Sequence, residues 1–504
     1  MKVSSLLSLT LLLLQNPADT VDAFVVPFLP SQTTRHNPNA CLGPTCSASN
    51  NNNNNNNNND NAIDSSSPEA MMDHFIQARD WSGLEDYWQE TTMSETKDCM
   101  TTALLNQRLR ALGMQGKAAK AEALLRSCLD NENNHNISLV DQKSWVHVLR
   151  AHASLVGGKN NKNKHDNLDD DDDDDNSRLQ RIQDLVKEMA RSSHTHPAWT
   201  PSIQAYNAVL QAIAQHSHLP QRGQQAERIL FGLLDKYNNN NNNQQHGDAP
   251  IVIPNADSFF WVYQASKGAH YPKVETLWHL QVSLWRRQAG QQQSSAALII
   301  PSVRNLNAAL AALARSHISN KAAKAQQLVQ QLQDIRLEAT AAVQQHDNAN
   351  DDNNHSLLQL PAMEPNIGTY KNLMYAAAFT SHAHTTPRER KQALEMALDI
   401  HTKVLQKIPD LPARDETLLY RLALQAVGHL MDNNSMHRDD QAVQLFTAAC
   451  DKGVVDNTVV TAFERAASDT VVLKILGGFA EDLIQLPAAW TAATTTTTTT
   501  TVEA

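Results

Sequence analysis

PSIQAYNAVLQAIA, residues 201–214, returns one hundred residues later as PSVRNLNAALAALA, residues 301–314, with the same Pro-Ser opening, the same Asn and the same apolar spacing. PNADSFFWVYQASK from Pro254 and PNIGTYKNLMYAAA from Pro365 open in the same manner. Proline ends whatever precedes it, and Ile203, Tyr206, Val209, Leu210 and Ile213 then recur at helical spacing. A polar turn leads to QQAERILFGLLDKY, where Ala226, Ile229, Leu230 and Leu233 share one face. A helix pair written several times predicts an all-α array in which neighbouring pairs bury each other's apolar faces.

Further copies extend the pattern in both directions. LLNQRLRALGMQGKAAKAEALLRSCLD, Leu104 to Asp130, holds a complete pair around Gly116. The pair opening at SWVHVLRAHA, from Ser144, reaches its second helix only at LQRIQDLVKEM, Leu179 to Met189, with an Asp run in the turn. Other pairs begin near Ala256, Val303, Ile367 and Glu416. Successive starts lie 47 to 64 residues apart, an irregularity that loops absorb cheaply, at about 0.6 kcal/mol per doubling of loop length.

Composition agrees with helix packing. Aromatic residues make up only 5% of the chain, Ala and Gln abound, and no sustained period-2 alternation marks a strand. Asn50 to Asn59, Asp169 to Asp175, Asn238 to Asn243 and Thr494 to Thr501 are single-residue runs, which cannot bury enough apolar surface to order themselves and are expected to be disordered.

These residues resemble the pentatricopeptide repeat family, whose unit is two antiparallel helices with Tyr-Asn or a similar dipeptide early in the first, a Gly-containing turn and an Ala-x-x-Leu-Leu second helix. Asn106, Leu109, Leu112, Gly116, Ala121, Leu124 and Leu125 carry that pattern without gaps. The resemblance implies a superhelical solenoid of helix-turn-helix repeats with disordered low-complexity insertions. About seven degenerate repeats are expected over 99–456, with insertions at about 157–177 and 238–250. Capping helices are expected at 70–98 and 457–490, and a disordered Thr-rich tail at 491–504.

The amino terminus reads as an address. Lys2, the apolar stretch Leu6 to Leu14 and the small residue Ala23 describe a signal peptide over 1–23. Residues 24–69 read as a transit peptide and Asn-rich linker, since Phe24 to Asn59 holds no Asp or Glu. A signal peptide followed by Phe resembles the bipartite plastid signal of algae with secondary plastids, and implies a plastid location. Simple secretion is the alternative, and would open the sequons at Asn136, Asn354 and Asn433 to glycosylation. No stretch reaches about 18 apolar residues, so no membrane span is expected in the mature protein.

Function follows from the resemblance. In the family, an Asn early in the first helix and the last residue of the same repeat contact one base of single-stranded RNA, and the matching pairs here are Asn106 with Asp141, Asn207 with Asn255, and Asn307 with Asn366. Such pairs imply pyrimidine preference. Val146 with Ser202, Phe260 with Ser302 and Lys371 with Asp415 depart from the usual choices. Each Asn also suits a second role, as a helix cap or turn residue. Tyr206, Trp145, Phe259 and Tyr370 read as core.

The net charge of −11 opposes RNA, although the seven consecutive Asp residues supply most of it. Arg108, Arg110, Arg150, Arg304, Lys371 and Arg421 lie in or beside the first helices, where a positive stripe is one reading and, for most of them, a solvated helix face is the other. His194 with His196, His216 with His218, and His382 with His384 lack a third ligand nearby, so no metal and no cofactor are expected. No phosphate-binding loop, nucleophile elbow or zinc-deaminase signature occurs, which predicts a binding protein rather than an enzyme. The implied partners are single-stranded organellar RNA, acted on in processing, stabilisation or translation, and organellar RNA-processing proteins. The alternative is a tetratricopeptide-like scaffold that holds other proteins, which the acidic charge suits.

Overall fold

The computed structural model describes residues 67–93, 101–130, 139–157, 175–216, 218–242, 252–267, 273–290, 299–347, 362–380, 385–408, 410–432, 435–478 and 486–495. Among them nineteen α-helices occur and no strand. In chain order they are α1 (Pro68–Ala78), α2 (Trp81–Met93), α3 (Thr102–Met114), α4 (Ala118–Asp130), α5 (Gln142–Leu155), α6 (Asp175–Ser192), α7 (Ile203–Gln215), α8 (Arg222–Asn242), α9 (Ala256–Ser266) and α10 (Val274–Gly290). They continue with α11 (Val303–Arg315), α12 (Lys321–Asp347), α13 (Ile367–Ala378), α14 (Pro387–Lys407), α15 (Ala413–Leu430), α16 (Met436–Asp451), α17 (Asn457–Ala466), α18 (Asp469–Leu476) and α19 (Ala488–Thr495).

Local chemistry explains where the odd-numbered helices start. Pro201, Pro254, Pro301 and Pro365 each stand one residue before the cap, and Ser202, Asn255, Ser302 and Asn366 accept a hydrogen bond from the backbone N–H three residues on. Asp141, Asn255, Ser302 and Asn366 complete reciprocal capping boxes with Ser144, Ser258, Asn305 and Thr369. One such cap is worth about 1 kcal/mol, so the repeated opening sets each first helix in register. Gly116, with φ 73°, closes the α3–α4 turn in the left-handed region that other residues avoid.

Packing is local in sequence. Every odd-numbered helix from α1 to α17 packs on its even-numbered successor, and each from α1 to α15 also on the next odd-numbered helix. From α4 onward each even-numbered helix up to α16 also touches the odd-numbered one after it, and α19 folds back on α15 and α16. The segments expected to cap the array, α1–α2 and α17–α18, follow this same pairing. Ala-rich faces such as Ala308, Ala309 and Ala312 of α11, all buried, let the helices approach closely. Trp145, Phe259, Tyr263, Trp278 and Phe463 fill the wider gaps. Tyr206 and Tyr370 pack half-buried at the margin of this core.

An ionic cluster fixes α6, which resumes after the long Asp-bearing segment. Buried Glu122 of α4 accepts from Arg126 Nε at 2.9 Å, His152 Nε2 of α5 at 3.1 Å and Arg181 Nε of α6 at 3.0 Å. Arg126 also holds Glu188 through two bonds, at 3.3 and 3.0 Å. Burial by itself would raise the Glu122 pKa. The bonds from His152, Arg181 and Arg126 outweigh it and hold the carboxyl well below the usual carboxylate range.

Several boundaries differ from expectation. α8 runs through Asn242, so most of the 238–243 Asn run is helical, because adding residues to a formed helix costs far less than nucleating one. α6 begins at Asp175, inside the expected 157–177 insertion. α1 starts at Pro68, and α19, Ala488–Thr495, extends from the expected capping segment into the first residues of the expected Thr-rich tail at 491–504. The rest of both insertions, the segments 1–66, and the sequons at Asn136, Asn354 and Asn433 lie outside the described residues. Among the described residues no helix is long and apolar enough to cross a membrane.

Candidate functional site

The helix register brings the expected pairs together. Asn106, Asn207 and Asn307 are each the fifth residue after a cap, Thr101, Ser202 and Ser302 respectively, and each meets the cap of the next odd-numbered helix. Asn106 Nδ2 donates to Asp141 Oδ1 at 3.2 Å, Asn207 Nδ2 to Asn255 Oδ1 at 3.0 Å, and Asn307 Nδ2 to Asn366 Oδ1 at 3.1 Å. A hydroxyl three residues past the cap completes each cluster. Ser144 Oγ donates to Asn106 Oδ1 at 2.8 Å, Ser258 Oγ to Asn207 Oδ1 at 2.7 Å, and Thr369 Oγ1 to Asn307 Oδ1 at 2.8 Å. Three copies of one geometry thus join α3 to α5, α7 to α9 and α11 to α13.

Each cluster leaves bonding capacity unused. An Asn amide carries two N–H donors, and only one is used by Asn106 and by Asn207 among the described residues. Asp141 Oδ1 takes Asn106 Nδ2, Ser144 N and Ser144 Oγ, while Oδ2 receives no bond from the described residues. Asn255 and Asn366 likewise accept through Oδ1, and their Nδ2 protons are donated to none of the described residues. The unused group of the cap residue is therefore an acceptor at Asp141 and a donor at Asn255 and Asn366, beside the unused N–H of Asn106 and of Asn207. Gly368 makes room for the third pair, because a Cβ there would stand 3.1 Å from both Asn307 Nδ2 and Asn366 Oδ1.

The remaining positions differ. Lys371 Nζ donates to Asp415 Oδ1 at 2.8 Å, which places an ion pair where the others have amides. Val146 is buried and Phe260 half-buried, and neither has a polar side chain to pair with Ser202 or Ser302.

Most of the cations that a positive stripe would need meet internal partners. Arg108 is buried against Glu85 and lies over the Trp88 ring. Arg304 pairs with Asp257 at 2.9 Å, Arg110 lies 3.9 Å from Asp73, and Arg421 donates to the Tyr375 hydroxyl at 2.9 Å. The physical reason is that neighbouring helices place carboxylates, and at Arg421 a tyrosine hydroxyl, within reach of these cations, which a one-dimensional reading does not see. Arg150 is exposed without a carboxylate partner among the described residues. Burial, with Arg150 and Arg110 acting in the same direction, lowers the His147 pKa to about 4.

Sequence reasoning missed two features. The hydroxyls of Ser144, Ser258 and Thr369 were legible as the last residue of Asp-x-x-Ser, Asn-x-x-Ser and Asn-x-x-Thr, a capping spacing. The second feature lies at the opposite ends of the first helices. Lys321 Nζ donates to the carbonyls of Ala314 and Ser316 at 2.8 and 3.3 Å, and Arg222 Nη1 to that of Ala214 at 3.4 Å. Burial lowers the Lys267 pKa to about 8, with Arg315 and Arg222 adding to the shift. Basic residues just past a helix end were the available signal.

The His pairs are used elsewhere or lie beyond view. The His196 ring packs 4.3 Å from that of Trp199, and His216 Nε2 bonds Asn176 Oδ1 at 3.0 Å. His382 and His384 lie outside the described residues. Among the described residues no group of three or more His, Cys, Asp or Glu side chains is arranged to hold a metal ion. No protein-family model matches the chain, and none of the curated proteins matches it in sequence.

Proposed function

We propose that the chain is a superhelical solenoid of pentatricopeptide-like repeats that enters a plastid, binds single-stranded RNA along its row of first helices, and acts in processing, stabilisation or translation without chemistry of its own. The observation that carries this reading is the threefold recurrence of one amide cluster, with Nδ2–Oδ1 distances of 3.2, 3.0 and 3.1 Å and an unspent hydrogen-bonding group on each cap residue. A purely structural cap has no need of the fifth-position Asn, since Ser302 caps α11 without one. The local pairing of helices supports the solenoid, because an array whose contacts reach only near neighbours grows by stacking.

Stacked helices set equivalent side chains at regular intervals, a geometry that reads a single strand one base at a time. The free Asp141 Oδ2 accepts from the N3–H of uracil, whereas the free Nδ2 of Asn255 or Asn366 donates to N3 of cytosine. A duplex is refused, because its Watson–Crick edges are already paired. The test is binding of the full chain to labelled 20-nucleotide oligo-uridine, oligo-cytidine and a duplex of equal length. Single strands binding over the duplex, with at least tenfold weakening in an Asn207→Ala, Asn307→Ala variant, support the reading. Absence of any RNA binding, with protein partners bound instead, contradicts it and favours the scaffold alternative.

A further inference from the structure

The row of amide pairs is interrupted between Asn207–Asn255 and Asn307–Asn366, and the interruption has its own chemistry. The fifth position of α9 is Phe260 and the sixth is Trp261, with ring centroids 4.9 Å apart in an edge-to-face contact. Arg304 of α11 reaches across both. Its guanidinium carbon stands 3.8 Å from the Phe260 centroid and 5.9 Å from that of Trp261. Arg304 Nη1 also donates to Asp257 Oδ1 at 2.9 Å, which holds the guanidinium over the ring and balances its charge.

These aromatics are not ordinary core. Phe259, Tyr263 and Trp278 of the same hairpin are fully buried, whereas Phe260 and Trp261 are half-buried and Arg304 is exposed. Leaving two large rings partly in water forgoes hydrophobic stabilisation. The same two positions hold Asn106 and Gln107 in α3, Asn207 and Ala208 in α7, Asn307 and Ala308 in α11, and Lys371 and Asn372 in α13. Only α9 among these helices places two aromatic side chains there, on the row that carries the hydrogen-bonding edges.

We propose that Phe260, Trp261 and Arg304 form a stacking platform that takes one unpaired nucleobase of the bound strand without reading its edge; the inference rests on the RNA-binding reading above. Every base has a π-face, and aromatic rings and guanidinium planes accept it regardless of sequence. The Asp257 carboxylate cancels the local positive charge, so the platform attracts the base rather than the phosphate. Recognition along the row then alternates, with an edge read at Asn207–Asn255, a base stacked at α9 and an edge read at Asn307–Asn366.

The test compares 20-nucleotide oligo-uridine with an abasic ribose-phosphate strand of equal length, using the full chain and a Phe260→Leu, Trp261→Leu variant that keeps the apolar packing and removes the rings. The expected result is about a tenfold loss of oligo-uridine affinity, unchanged abasic-strand affinity and an unchanged helical circular dichroism signal. Arg304→Lys, which keeps the charge and loses the plane, should lower oligo-uridine affinity in the same direction. Equal loss on both strands, or no loss in the Leu variant while Asn207→Ala, Asn307→Ala still weakens binding, overturns the platform and leaves the RNA reading standing. A wild-type chain that binds no RNA overturns both.

Discussion

The Glu122 cluster and the three amide clusters are both polar networks that tie successive helices, yet they differ in what they leave over. Around Glu122, three cationic or imidazole donors converge on one buried carboxylate. It holds α4, α5 and α6 together. At Asn106, Asn207 and Asn307 each cluster joins only two helices, through neutral bonds at the second and third and through the Asp141 carboxylate at the first, and each leaves a carboxylate oxygen or amide unpaired among the described residues. A network that spends all its capacity internally stabilises, whereas one that keeps an edge in reserve suits the binding role proposed for it.

The largest effect should come from breaking the closed network. Glu122→Gln leaves three donors facing a weak acceptor; breaking a buried pair costs about 3–5 kcal/mol, and the half-exposed Arg126 and Arg181 recover part of that, leaving about 2 kcal/mol. Faster amide exchange confined to α4–α6 would report it, and no change would deny the cluster its structural role. Acid should act at the same place. Glu122 titrates lower in the folded chain than its ordinary value of 4.5, so its stabilisation is fully present above pH 4.5 and drains as pH falls through that value towards the folded one. Helix content followed by circular dichroism between pH 6 and pH 2 should fall in wild type and lose this component in Glu122→Gln.

The open network should respond less in stability and more in binding. Asn207→Ala, which removes the bonds to Asn255 and Ser258, should cost about 1 kcal/mol of stability and weaken single-stranded RNA severalfold. Intact affinity would reduce that Asn to a structural link. Ser258→Ala is the mildest of the series, costing about 0.5–1 kcal/mol through the cap with the outward Asn255 amide retained, so a binding loss as large as that of Asn207→Ala would mean that the register of α9, rather than the amide edge, governs affinity.

The helix pairs were legible because their signals are local. Pro201-Ser202 and Pro365-Asn366 announce caps, and apolar spacing announces faces, within a dozen residues. The pairing of Asn106 with Asp141 came from family resemblance rather than from the residues, since two side chains 35 positions apart meet only once the array is folded. The fate of the cations was illegible for the same reason. Whether Arg304 faces a phosphate or Asp257 depends on a contact between α9 and α11, 47 residues apart in the chain. The extension of α8 into the Asn run was missed because composition was weighed without the helix already nucleated ahead of it.

The central claim is that the outward edge of each amide pair reads a base. Asn255→Asp, Asn366→Asp tests it most directly, because Asp caps a helix as well as Asn does and still accepts from Asn207 and Asn307, while the outward donor becomes an acceptor as at Asp141. The measurement is the ratio of affinities of the full chain for oligo-uridine and oligo-cytidine. The account predicts an unchanged melting temperature and a ratio shifted at least tenfold towards uridine, about 1.4 kcal/mol. A ratio that stays where it was, with the fold intact, would contradict it.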